Sequence, residues 1–306
     1  MAVKGINGAD LNNISKVDGR SNVLDKVNGI DADLAPPAVA YSVRNVSGLT
    51  GIPYDGPCMR ILVDATGDGA DATDLEFDIN FTADGDLDVA DIELKCAGGK
   101  DAYVVKWYDQ SGAGNDATQT AYADMPKIAT AGVVILESGQ PAVEFNATSS
   151  TYGLDTPAID ITPGHVIVVT RFDSTAMSNS FCLGSNTSEG LIRARGTTPN
   201  ISLIHTYTTS SIGAYEKVYR NSTDLLQLSP TVRSGFAGSM EQQNLFFTDD
   251  ATTNNVDFRH IGKNGTNNGS TRWVGTIQEV IAYNSDQSSN RTAIETNIND
   301  YFDIYT

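Results

Sequence analysis

Trp107 to Gln119 reads WYDQSGAGNDATQ, and this stretch gathers the side chains best suited to chemistry. Asp109 and Asp116 flank a Ser-Gly-Ala-Gly-Asn turn, with Trp107 and Tyr108 just before it. Acids and aromatics around a glycine loop can hold a calcium ion, a sugar or a pair of catalytic carboxyls. The same residues can also be the punctuation of a β-sheet. Asp109 is placed to accept hydrogen bonds from backbone N–H groups two or three residues on, as in an Asx turn. Gly112 and Gly114 can take positive φ, and Asn115 or Asp116 can do so again. Tyr103 to Tyr108 alternate as a strand, which puts Trp107 with Val105 on one face and Tyr108 with Val104 on the other. The turn reading therefore comes first. A ligand reading stands beside it, because exposed loops at sandwich ends carry binding sites. Its residues are Asp109, Asn115 and Asp116 as polar groups, with Tyr108 or Tyr122 as the platform for a sugar ring.

Other chemistry finds little support. The three histidines, His165, His205 and His260, lie outside H-x-x-x-H and H-E-x-x-H spacing. His165 and His205 fall in apolar strand runs, as core or edge imidazoles do. There is no G-x-S-x-G elbow, Walker loop or dinucleotide fingerprint. The segment 64–76 partly mimics a calcium loop, with Asp64, Thr66, Asp68 and Gly69 at its first, third, fifth and sixth positions. Its twelfth position is Leu75, and Glu76 comes one residue late for the bidentate acid. The acidic stretch 82–91 is a turn of the same kind. No catalytic residue, metal site or cofactor is assigned, and calcium is the one ion these loops would suit. Cys58, Cys96 and Cys182 show neither C-x-x-C spacing nor a disulfide framework.

The chain has 306 residues, 40% of them hydrophobic and 19% charged, enough for a substantial core. Thr, Ser, Asn, Gly, Asp and Val outweigh the helix formers, which favours strands and tight turns. Twenty Lys plus Arg against 38 Asp plus Glu give a net charge of −18. Such a surface repels phosphate backbones and anionic membranes, so neither nucleic acid nor membrane insertion is expected. The start has no apolar core of signal-peptide length, and assembly in a cytoplasm is expected.

Residues 1–38 differ from the rest. KGINGADL, KVDG and KVNGIDADL repeat aliphatic residues followed by Asn/Asp-Gly, units too short to bury a core alone. They are read as a segment that docks on another surface, ending at Ala35-Pro36-Pro37-Ala38. Residues 39–306 form the second unit. AVAYSVR, MRILVD, AYVVKWYD, PAVEFN, HVIVVTRF, SLIHTY, NLFFTD and VGTIQEVIAYN read as strands between turn clusters. Near the end the period changes: Ile294, Ile298, Tyr301, Phe302 and Tyr305 share one helical face, with Asp286 or Ser288 able to cap its first turn. Many strands and one closing helix make this an all-β protein, a jelly-roll β-sandwich with a C-terminal helix and an extended N-terminal segment.

These residues carry a resemblance. AYSVR, FTADGDLDVADI, WYDQSGAGNDATQ, QPAVEFN and the closing GTIQEVIAYNSDQSSNRTAIETNINDYF recur in order and cover most of 39–306. They are similar to the laminin-G/concanavalin A-like sandwich domains of tailed-phage structural proteins. The resemblance implies a virion structural protein, such as a head fibre, capsid decoration, spike or tail fibre, and not an enzyme. It also implies attachment to other virion proteins through residues 1–34, a homo-oligomer with a trimer favoured, and a host-surface glycan as ligand. The same core resembles the catalytic sandwich of B-type α-L-arabinofuranosidases, which implies the alternative of a retaining glycosidase. In that family the nucleophilic Glu follows a CCFDYGNAE segment, matched here by FCLGSNTSEG with Cys182 and Glu189. The family's acid, in IGGDN, is matched by Asn264 in IGKNG, an amide that cannot donate the required proton.

Overall fold

In the computed structural model, residues 36–145, apart from 68 and 69, and 272–306 are described without interruption. Residues 151–185 are described apart from two pairs, and shorter stretches of 1–35 and 186–271 complete the set. Within the N-terminal segment, Lys26–Val27 pairs antiparallel with Ile30–Asp31.

The main body is all-β. Its strands begin with β1 (Val39–Ser42), β2 (Met59–Val63) and β3 (Leu75–Ile79). A short helix, α1 (Val89–Lys95), precedes β4 (Ala102–Trp107). Then come β5 (Ala117–Thr118), β6 (Lys127–Thr130), β7 (Val143–Phe145) and β8 (Leu154–Asp160). The later strands are β9 (His165–Phe172), β10 (Ala176–Gly184), β11 (Asn244–Asp249), β12 (Asp257–Ile261) and β13 (Gly275–Tyr283). Helix α2 (Arg291–Phe302) closes the chain.

Strand β4 is where the sheet divides. It pairs with β2 along its length, and β2 pairs with the edge strand β3. On its other side, Lys106 and Trp107 pair with β5, while Ala102 and Tyr103 pair with β6. From β5 one sheet runs through β8 and β12 to β10. From β6 the other runs through β7 and β13 to β9 and β11, with β1 beside β13. The two faces meet in a core that contains Trp107, Tyr41, Phe145, Phe172, Phe258 and Trp273. Tyr41 joins them directly, its ring 6.1 Å from Trp107 and 6.4 Å from Phe258. This is the expected jelly-roll-like sandwich.

One local expectation is overturned. Arg60 faces Lys106 but Ile61 faces Val104, so Val105 is an extra residue in β4. The bulge breaks the alternation. Val104 and Trp107 are consequently both in the core, and Lys106 turns outward with Tyr108.

Strand β9 reads HVIVVTRF, with seven of its eight residues buried. It lies between β13 and β11, which explains a run without alternation. Against β11 lies α2, which buries Ile294, Ile298 and Phe302. Asn290 stands at its N-cap, and Asp286 instead accepts from the Ser288 backbone N–H at 2.9 Å. Helix and sheet are joined by a buried ion pair. Arg44 Nε lies 2.9 Å from Glu279 Oε2, and Arg44 Nη1 donates to Asn297 at 2.9 Å. Ser42 Oγ donates to the same Glu279 oxygen at 2.7 Å, and the guanidinium sits 5.0 Å from the Tyr301 ring. Removing one partner of such a pair strands a buried charge. Glu279→Ala is expected to lower unfolding free energy by about 3–5 kcal/mol, read from the denaturant midpoint; a change within error would disprove this role.

Candidate active site

The 107–119 loop is held by its own aspartates. Asp109 is buried, and its Oδ1 accepts from Ala40 N and Ser111 N, both at 2.9 Å. Its Oδ2 accepts from Ser111 Oγ at 2.7 Å and Asn115 N at 3.0 Å. Gly112 and Gly114 have φ of 83° and 75°, as the turn requires. Asn115 Nδ2 donates to Ala38 O at 3.1 Å, and Tyr41 Oη donates to Asn115 O. Gln110, fully buried, accepts from Val46 N and donates to the carbonyls of Ser42 and Arg44.

Asp109 and Asn115 are thus occupied within the fold. Tyr108 and Asp116 face the outer side of the sheet. Tyr108 Oη donates to Asp78 at 2.7 Å, and Asp116 takes Lys106 at 3.1 Å. Tyr122 stands apart from these four, in a turn over Tyr122–Asp124 whose last carbonyl accepts from Gly153 N. Asp64 likewise forms a turn, accepting from Thr66 N and Gly67 N. Asp68 and Gly69 lie outside the described residues. Among the described residues, no group of three His, Cys, Asp or Glu is arranged to hold a metal ion.

The sheet that starts at β5 brings together a different set. Thr118 opposes Asp155, Asp155 opposes His260, and His260 opposes Gly184. His260 Nδ1 lies 2.7 Å from Asp155 Oδ1. Lys263 Nζ is 2.9 Å from Oδ1 and 3.0 Å from Oδ2 of the same carboxyl, and it donates to Thr151 O at 3.2 Å. The Lys263 side chain is 9% exposed and that of His260 12%, whereas Asp155 is 50% exposed. Two largely enclosed groups therefore present one accessible carboxyl. Burial pushes the Asp155 pKa up, but the hydrogen bonds from His260 and Lys263 outweigh it and hold the group below the usual carboxylate range.

Beside this cluster the ends of β10 and β12 are clasped together. Gly262 N donates to Cys182 O at 2.7 Å, Asn264 Oδ1 accepts from Ser185 N at 2.8 Å, and Gly265 N donates to Ser185 O at 2.9 Å. A Cβ on Gly184 would meet Lys263 O at 2.1 Å, so only glycine permits this approach. The FCLGSN and IGKNG segments are thus neighbours in space, while Glu189 lies outside the described residues. Cys182 is fully buried, and burial raises its pKa, so its thiol is not a poised nucleophile. His165 is buried, with Nε2 3.3 Å from Asp286; His205 lies outside the described residues.

Asp155 stands in no motif. The signals in the sequence are His260, an isolated histidine, and the IGKNG segment, which holds Lys263 beside Asn264.

The architecture defines a class of sandwich, and solved structures share it. An arabinofuranosidase complexed with arabinofuranosyl-α-1,2-xylobiose matches at a TM-score of 0.50 and 16% identity, over 85% of this chain and 62% of that one. A GH54 α-L-arabinofuranosidase soaked with a cyclic sulfate inhibitor matches at 0.51 and 16%, over 86% and 62%. The chain therefore spans about three-fifths of the length of these relatives, and the likeness is one of fold. No protein-family model matches the chain. No curated protein matches it either.

These neighbours correct the expectation of a virion structural protein without enzymatic activity. They are arabinofuranosidases, the family named in the alternative resemblance, and the likeness to them is one of fold. The physical reason lies in the segments that carried the phage resemblance. WYDQSGAGNDATQ and the closing strand and helix are parts that build the sandwich, through Asp109 and through the Arg44–Glu279 pair. They track a fold, not a place on a particle.

Because the folded pKa of Asp155 is depressed, its contribution to stability is present above the unfolded value of about 3.9 and is lost as pH falls through the folded one. Asp155→Asn is expected to be less stable than wild type at pH 7. The difference should close as pH drops below about 4, followed by denaturant unfolding across pH. A difference that stays constant down to acid unfolding would contradict the assignment.

Proposed function

We propose that the protein is a glycoside hydrolase of arabinofuranosidase type, with Asp155 as its ionised catalytic carboxylate. The carrying observation is the Asp155–His260–Lys263 cluster, set beside the Ser185–Asn264 clasp in an arabinofuranosidase-like sandwich. Retaining glycosidases need two carboxyls about 5 Å apart, one ionised and one able to give a proton. Asp155, held below the usual range, suits attack on the anomeric carbon or support of an oxocarbenium-like transition state, not proton donation. Lys263 and His260 fix its orientation and favour its charge. The resemblance aligns Glu189 with the family's nucleophile, but with Asp155 held ionised the proton-donating role in this reading falls to Glu189 as the second carboxyl. Asn264 is not the acid: it is an amide, and its oxygen accepts from Ser185 N.

The purified chain is expected to release nitrophenol from 4-nitrophenyl α-L-arabinofuranoside. Asp155→Asn and Glu189→Gln should each lower kcat about 10²–10⁴-fold without comparable loss of fold. Wild-type protein that is folded yet inert towards aryl furanosides would overturn the reading.

A further inference from the structure

The register that assembles the candidate site continues beyond it. Thr118 opposes Lys106, Lys106 opposes Arg60, and Arg60 opposes Asp78. Directly opposed residues on antiparallel strands project to the same face. Asp78, Arg60, Lys106, Thr118, Asp155 and His260 therefore form one row across β3, β2, β4, β5, β8 and β12. At about 4.8 Å between strands, the row runs for about 24 Å. Met59, Ile61, Trp107, Ala117, Leu154 and Ile261, next to it along the strands, are all buried in the core, so the row lies on the outer face.

The row is ordered by its own contacts. Arg60 binds Asp78 through two nitrogens, at 2.8 and 2.9 Å. Tyr108 Oη donates to the same carboxyl, and Lys106 Nζ sits 5.0 Å from the Tyr108 ring centre while pairing with Asp116. The groups stay accessible: Arg60 is 38% exposed, Asp78 40% and Asp155 50%. Held in place by one another, they can offer remaining lone pairs and N–H groups with little ordering cost on binding.

Charge decides what such a row fits. With the groups paired to it, the row carries three cations, Arg60, Lys106 and Lys263, against four carboxylates, Glu76, Asp78, Asp116 and Asp155. The whole chain has 20 cationic against 38 acidic residues. The row is thus nearer to charge balance than the strongly acidic chain as a whole. Hydroxyl groups, which both donate and accept, match its alternating partners; a polyanion gains nothing there and meets repulsion around it. We infer that the row is an extended binding strip for a neutral polysaccharide, leading across the sheet to Asp155, with Tyr108 as its aromatic contact. This rests on the glycoside hydrolase reading.

The test uses the full chain with linear arabino-oligosaccharides of increasing length, alongside 4-nitrophenyl α-L-arabinofuranoside. It adds native-gel retardation by neutral arabinan and by polygalacturonate. The strip predicts that kcat/KM rises with oligosaccharide length. Tyr108→Ala and, separately, Arg60→Ala should raise KM for the long substrates about tenfold, the scale of one lost aromatic or charged contact. Leu94→Ala, exposed on α1 away from the row, should change nothing. Hydrolysis without length dependence would overturn the strip and leave the hydrolase reading intact. Retardation by arabinan that Tyr108→Ala abolishes, without any hydrolysis, would support the strip and overturn the hydrolase. Retardation by polygalacturonate alone, or by neither polymer, would overturn the strip.

Discussion

Asp109 accepts hydrogen bonds from three backbone N–H groups and one hydroxyl, and its carboxyl is buried. One bond comes from Ala40 in β1, sixty-nine positions away in the chain. The loop after β4 is therefore fastened to the strand that lies beside β13. With the loop so fixed, β5 begins where Lys106 and Trp107 can pair with it. The sheet that carries Thr118, Asp155 and His260 grows from that point. A buried carboxyl stripped of these donors would be costly to keep, so the loop is tied down as firmly as any core element.

The second constraint is the extra residue at Val105. Without it Trp107 and Val104 would point to opposite faces; with it both enter the core, and Lys106 and Tyr108 turn outward. The bulge also falls where β4 hands over from β6 to β5 as its neighbour. A single strand thus seeds both layers of the sandwich. The outward row of polar side chains is a consequence of that division, and the Asp155 cluster sits at its far end.

Much of this was readable from residues. HVIVVTRF coincides with β9 at both ends, and the Asp-to-glycine turn after Trp107 forms as its chemistry dictates. Ile294, Ile298 and Phe302 line the buried face of α2. Other parts were hidden for physical reasons. Residues 64–76 partly mimic a calcium loop, yet Leu75 and Glu76 at their end begin β3, which pairs with β2. A bulge leaves no mark in a run such as Ala102–Trp107, where apolar residues occupy consecutive positions. Asp155 and His260 are 105 positions apart, so only strand register reveals them as neighbours. The segments that resemble virion proteins are the ones that hold the sandwich together, so they carry the fold and not a place on a particle.

The central claim is that sugar binds along the face bearing Asp155, His260 and Lys263, while the Asp109 turn serves the fold. Amide chemical-shift mapping with a neutral arabino-oligosaccharide tests it directly. Shifts at Thr118, Asp155, His260 and Lys263, with the Ser111 and Asn115 amides unmoved on Asp109, are the predicted result. Shifts confined to Ser111–Asn115, with β8 and β12 silent at saturation, would contradict it.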